Sequence, residues 1–246
     1  MSAFLTSDEV QKSDTSTLRA RVMSTELPAG DALHARLMSI FDITVEEICD
    51  RVLLTSQAAS RSYMNGLYPN AGPGLVRWLH LVRNLSLLML PRSWERCDID
   101  NVPRLIHRER RVALVVVRGD EATGLPFSEV GRFPRSKYPR GSATIRAVHR
   151  NDAPFFPMFA NLHHDDDVNL DDYRTWFLVV HVDAEQVRAE ISLPMPSDSV
   201  YLERWHERLL LPTLPNDGGS DIDIDIDGGD DPDAGYDDID IAVEPL

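Results

Sequence analysis

The sequence predicts an α+β protein: an N-terminal helical bundle, a C-terminal mixed α/β domain with an antiparallel hairpin, and a disordered acidic tail. Three observations lead there. Apolar residues recur at helical spacing between residues 29 and 95. From about residue 104 that period gives way to β-branched runs. The stretch 216–246 carries 12 acidic and no basic side chains, and alternates Asp with Ile at Asp221–Asp227.

The segments follow in order, with expected boundaries at 1–28, 29–95, 100–215 and 216–246. Residues 1–28 are polar and end at Pro28, which reads as a flexible arm with one helical turn near Leu18–Met23. Helical spacing then links Ala32-Leu33, Leu37-Met38 and Ile40-Phe41; Val45, Ile48, Cys49 and Val52; and Leu75, Trp78, Leu79, Leu81 and Val82. Asp42 and Thr44 fit as helix starts, with Glu46 and Glu47 in a first turn that the helix dipole favours. Arg111–Val117 reads as a strand followed by a turn at Arg118-Gly119-Asp120. Trp176–Val182 is a second strand, which Asp183–Gln186 turns into Val187–Leu193. That third run alternates apolar and polar, as a half-buried hairpin strand does. Gly124–Pro157 reads as a long loop with a short helix around Ala143–His149, and the folded part ends near Leu214.

Composition narrows the class. Of 246 residues, 43% are hydrophobic and 26% charged, which is the balance of an ordinary folded protein. Two cysteines, Cys49 and Cys97, exclude a disulfide-built scaffold, so a reducing cytoplasm is expected. No apolar run approaches the ~18 residues that span a bilayer, and no secretory leader is expected at the N-terminus.

The segment Ile43–Gly66 carries the most specific pattern. It reads Thr44-x-Glu46-Glu47-Ile48-Cys49, then Leu54-Thr55, then Ser56, Gln57, Ser60 and Arg61, then Asn65-Gly66 and Pro69. It resembles the DNA-binding unit of the phage-repressor (Xre-type) helix-turn-helix family over about residues 32–91. The resemblance puts Cys49 where two helices touch and makes Thr55 the cap of a recognition helix. Thr55, Ser56, Gln57, Ser60 and Arg61 would then face the major groove, where Gln reads adenine and Arg reads guanine. Pro73–Arg83 and Leu85–Leu90 would be its last two helices. Leu53 departs from the pattern, since Gly usually holds that turn position. The resemblance implies a transcriptional regulator of bacterial or phage origin, dimeric on a two-fold operator, with DNA as partner and no cofactor.

Three further groupings bear on function. Residues 101–150 carry 11 basic and 4 acidic side chains, and Arg108, Arg110, Arg111, Arg135, Lys137 and Arg140 are candidate phosphate ligands. Arg104, His107, Arg132, Arg146 and Arg150 extend this block, and Phe133 and Tyr138 interleave with it. The competing expectation pairs these arginines with the acidic residues of 151–215, which carry 12 acids against 4 bases. His163, His164, Asp165 and Asp167 have metal-ligand composition, and His181 or Glu190 would have to complete the set. A solvated acidic loop is the preferred reading there, and no catalytic residue is expected. The tail has two readings. It docks on a protein partner as an added strand, or it competes with nucleic acid for the chain's own basic block. The function alternatives are thus an accessory protein of a mobile-element or defence system that recruits a partner through the tail, and a metal-dependent hydrolase.

Overall fold

Val112–Val117 and Trp176–Val182 are apolar without alternation because both faces of their strands are covered. The computed structural model describes residues 24–63, 66–152 and 173–216. In chain order these form β1 (Thr25–Leu27), α1 (Asp31–Phe41), a π-helical stretch (Glu47–Leu54) running into α2 (Thr55–Arg61), and α3 (Gly72–Met89). Then come β2 (Glu95–Cys97), β3 (Arg104–His107), β4 (Val112–Arg118), α4 (Phe127–Val130) and α5 (Ser142–His149). The chain continues through β5 (Arg174–Val182), β6 (Gln186–Pro194), β7 (Trp205–Leu210) and β8 (Leu214–Pro215). The sheet order is β1-β7-β6-β5-β4-β3-β2, with β8 paired to β6 beyond the end of β7. The pairs β4–β5 and β1–β7 are parallel and the other neighbours antiparallel, so the class is α+β with a mixed sheet.

The expected hairpin is β5–β6, in register from Phe177↔Ser192 to Val182↔Val187. Asp183 closes its turn, with Oδ1 accepting from the Glu185 and Gln186 amides at 3.0 and 2.9 Å. The short helix expected at 143–149 is α5. Thr44 begins a helix through a capping box: the Glu47 amide donates to Thr44 Oγ1 and the Thr44 amide to Glu47 Oε2, each at 3.1 Å. Asp42 does not begin one. It closes α1 in the left-handed conformation at φ 60°.

α1, the π-helical stretch and α3 cover one face of the sheet. Leu33, Leu37 and Phe41 of α1, Ile48 and Val52 of the π-helical stretch, and Leu85 and Leu88 of α3 share one cluster with Leu114, Trp176, Leu178, Ile191 and Leu209. Each such burial contributes roughly 1.5–3 kcal/mol. Buried residues of 29–95 and of the sheet thus belong to one core cluster. The other face is capped by Leu202 and Val148 over Val115, Val117, Phe177 and Val179.

Three expectations are corrected. Thr25–Leu27, assigned to the arm, pairs with β7 from Thr25↔Glu207 to Leu27↔Leu209. The two helices expected at Pro73–Arg83 and Leu85–Leu90 are one, since α3 runs from Gly72 to Met89. The polar positions of β6 do not face water. Arg188, Glu190 and Ser192 are buried, because the connection after β4 lies over them. Among the described residues no helix is long and apolar enough to cross a membrane.

Candidate anion-binding groove

β4 ends at Arg118, and the chain folds back beside that end rather than leaving it. Gly119 bridges Ser136 antiparallel, the Asp120 amide donates to Arg135 O at 2.9 Å, and the Lys137 amide donates to Arg118 O at 2.9 Å. Gly119 is required by close approach. A Cβ there would lie 2.1 Å from Thr123 Oγ1 and 2.5 Å from Val179 Cγ1, both in buried side chains. Gly119→Ala is therefore expected to cost about 1–3 kcal/mol by overpacking. Urea denaturation measures it, and a loss under ~0.5 kcal/mol would show that the loop yields.

Segment 134–140 is pinned to the connection between β6 and β7. Ser136 N donates to Leu202 O at 2.8 Å, Ser136 Oγ accepts from Leu202 N at 3.1 Å, and Trp205 Nε1 donates to Pro134 O at 2.9 Å. Between the two lies an open groove of about 730 Å³, lined by Arg132, Arg135, Lys137 and Arg204 and by Asp120, Glu121 and Glu203, with Phe133 and Ser136. Arg132 is committed: Nη1 donates to Asp120 Oδ2 at 2.6 Å, and Nη2 pairs with Glu121. Arg135 is exposed and stacks over the Tyr201 ring at 4.4 Å. Neither Arg135 nor Arg204 has a carboxylate partner among the described residues.

A buried ionic network holds the groove loop on the sheet. Arg208 and Glu190 are both 0% exposed. Arg208 Nε donates to Glu190 Oε1 at 3.0 Å and Nη2 to Leu125 O at 2.9 Å, and Nη1 pairs with Glu26. Glu190 also accepts from Ser192 Oγ at 2.7 Å and from the Gly124 amide at 2.9 Å. Burial alone lowers the pKa of the Arg208 guanidinium, but hydrogen bonding to Glu190 and the charges of Glu190 and Glu26 outweigh it and hold it above the usual value. Sequence reading missed this network, whose only signal is a lone Arg and a lone Glu on neighbouring strands of one sheet face.

The basic block of 101–150 is not one surface. Arg108, Arg110 and Arg111 lie in the turn before β4, and Arg135, Lys137 and Arg140 beyond its other end, about 20 Å away at strand rise. The arginines at the first end are largely spent. Arg108 pairs with Glu95 at 2.8 Å and Arg110 donates to Ile40 O at 2.9 Å; Arg104, beside Val115 in the middle of β4, donates to Ile99 O at 2.6 Å. Arg111 lies 5.9 Å over the Tyr173 ring. Arg140 donates to Tyr138 O at 3.1 Å, and burial lowers its pKa. Glu95, Asp100, Asp120 and Glu121 pair with arginines of this block and lie outside 151–215; of the acids expected to pair with it, Asp165, Asp166, Asp167, Asp171 and Asp172 lie outside the described residues.

No protein-family model, curated protein or solved structure matches the chain.

Residues 45–61 are one unbroken helix that includes Leu53, where the turn was expected, and both Leu54 (φ −63°, ψ −40°) and Thr55 (φ −63°, ψ −39°), the expected cap, are helical. Thr55 Oγ1 donates back to Asp50 O at 2.8 Å, which suits the wide π-helical turn and caps nothing. Thr55 and Arg61 are exposed, but Ser56, Gln57 and Ser60 are at most 1% exposed. Ser56 accepts from Asn84 Nδ2 at 3.1 Å, Ser60 accepts from Arg77 Nη2 at 3.0 Å, and Gln57 donates to Asn216. These buried side chains join α2 to α3 and to the end of the sheet. Cys49 packs in the core, and burial pushes its thiol up to about 11.

Of the metal candidates, His163, His164, Asp165 and Asp167 lie outside the described residues. Glu190 is committed to Arg208. His181 Nδ1 lies 3.4 Å from Gly119 O and Nε2 lies 3.9 Å from Asp183 Oδ2. Burial lowers the His181 pKa, and Arg188 and Arg118 add to this, against Gly119 O and Asp183. His107 is lowered too, chiefly by burial and then by Arg110. Both rings are thus held neutral in the fold, whereas the unfolded chain takes up protons near pH 6.5. Stability is expected to fall as pH drops below about 6.5. The urea midpoint at pH 7 and 5.5 measures this, and His107→Gln with His181→Gln should flatten the dependence. A wild-type midpoint that rises on acidification would contradict neutral imidazoles.

Proposed function

We propose that this is a non-enzymatic nucleic-acid-binding protein that holds the phosphate backbone of DNA in the groove between segments 132–137 and 203–204. The observation that carries this reading is the pair Arg135 and Arg204, exposed in an open charged groove with no carboxylate partner among the described residues. A guanidinium offers planar, forked donors that match phosphate oxygens. DNA is thereby retained as partner, but the contact moves away from Thr55–Arg61. Phosphate contacts position a protein without reading sequence, so little sequence preference is expected. Arg135→Ala with Arg204→Ala should weaken binding of a labelled duplex about tenfold or more. It should also reduce the slope of log affinity against log salt by about 2. Unchanged affinity and slope would remove the groove from this role.

The accessory-protein reading has one observation in its favour. Leu75, Leu79 and Leu87 of α3 are 58%, 52% and 51% exposed, apolar surface that suits a protein partner or a second copy of the chain. Light scattering of wild type and Leu79→Asp tests the homodimer form, and a wild-type monomer at high concentration would dismiss it.

A further inference from the structure

Asn216, the last described residue, is fixed at the end of the sheet where the groove lies. Its amide donates to Glu185 O at 2.8 Å, its side-chain amide pairs with Asp183 O, and its Oδ1 accepts from Gln57. Of those partners, Asp183 and Glu185 belong to the turn between β5 and β6, and Gln57 to α2. Three residues before that turn, Val180 O takes the Gly119 amide at 2.9 Å, and Val180 is the register partner of Arg118. Arg118 O in turn accepts from Lys137 of the groove. A few residues of strand and two strand spacings put the start of segment 217–246 roughly 20–25 Å from the groove. A segment of 30 residues can span at most about 100 Å, so the tether is no obstacle.

Segment 217–246 carries 12 acidic and no basic residues. A carboxylate presents the same pair of oxygens to a guanidinium fork that a phosphate does. We infer that segment 217–246 of the same chain occupies the Arg135–Arg204 groove and competes there with the phosphate backbone of nucleic acid. This rests on the nucleic-acid reading of the groove and assigns its regulation. The opposite end of the sheet is the poorer target. Its arginines Arg92, Arg108 and Arg110 are engaged by Glu47, backbone carbonyls and Glu95. It also lies a further strand length away. Tethering sets the effective concentration of the segment near the millimolar range, so weak, exposed ion pairs suffice to occupy the groove. Such pairs are screened over ~8 Å at physiological salt, and the competition is a low-salt effect.

The test uses the full chain with its acidic segment neutralised: Asp221→Asn, Asp223→Asn, Asp225→Asn, Asp227→Asn, Asp230→Asn and Asp231→Asn. A labelled 20-base-pair duplex and, separately, a labelled peptide of residues 217–246 are titrated with wild type and with this variant, at 50 and 200 mM salt. The expected result is duplex binding at least tenfold tighter for the variant at 50 mM, with the gap shrinking below threefold at 200 mM. The peptide should bind the variant, and lose that binding when Arg135→Glu and Arg204→Glu are added. Equal duplex affinities at 50 mM would overturn the competition. Tighter duplex binding with no capture of the peptide would also overturn it, since relief of long-range repulsion then suffices. Peptide binding that survives Arg135→Glu and Arg204→Glu would place the segment elsewhere. Loss of duplex binding in the charge-reversed chain, with equal affinities before it, would leave the groove reading standing and only this inference overturned. Peptide capture in the groove with no duplex binding by any chain would overturn the nucleic-acid reading and with it the competition.

Discussion

Arg208→Met is expected to cost about 3–5 kcal/mol of folding stability, much of what a domain of this size possesses. The substitution removes a guanidinium that is 0% exposed and leaves Glu190, also 0% exposed, without its counter-charge. The loss is not that of one ion pair. Arg208 also binds Glu26, which accepts from the Phe127 amide at 3.1 Å, and it donates to Leu125 O. Strand β1, the loop 122–127 and strand β6 are thus fastened to β7 through one side chain. A second consequence separates this from a general core defect. The Gly124 amide, which donates to Glu190 at 2.9 Å, should lose hydrogen-exchange protection more than the amides of β5 do. Adding Glu190→Leu should recover a large part of the stability, because a buried ion pair is costly mainly when only one partner is removed. A loss under about 1 kcal/mol, or a double variant no better than the single one, would show that water reaches the network.

The same residues explain what was legible in the sequence. β4 and β5 read clearly because covering both faces of a strand removes alternation, and continuous β-branched runs have few other uses. The Asp183 turn and the Thr44–Glu47 capping box were legible because their hydrogen bonds are local. β1 and β7 were not. Trp205-His206-Glu207-Arg208 has the look of a polar connection, and only the loop folded over it makes Arg208 an interior residue. The candidate groove was half legible. Arg132, Arg135, Lys137 and Phe133 stood together in the basic block, but Arg204 enters from a connection some 70 residues later. The division of that block into two ends follows from β4 running through its middle, a distance that charge counting along the chain does not register.

Leu53→Gly is the substitution that best separates one helix from two, and it is expected to cost about 3–6 kcal/mol. The apolar spacing Val45, Ile48, Cys49, Val52 suits the first helix of a helix-turn-helix and the first half of a longer helix equally well. The two differ at the position where the family places Gly, since a turn there requires a left-handed residue that Gly adopts freely. If residue 53 were such a turn, Gly would be neutral or favourable. Here Leu53 is 2% exposed inside an unbroken helix and belongs to the core cluster with α1, α3 and the sheet. Truncating a buried Leu to Ala costs about 2–5 kcal/mol, and passing from Ala to Gly within a helix costs about 1 kcal/mol more. Leu53→Ala should therefore already lose most of the stability, with the Gly variant below it by the backbone increment. Urea denaturation of wild type and both variants gives the two steps separately. A Gly variant as stable as the Ala variant, or more so, would mean that residue 53 sits in a turn. It would also return Gln57 and Ser60 to a separate helix with a face free to read DNA.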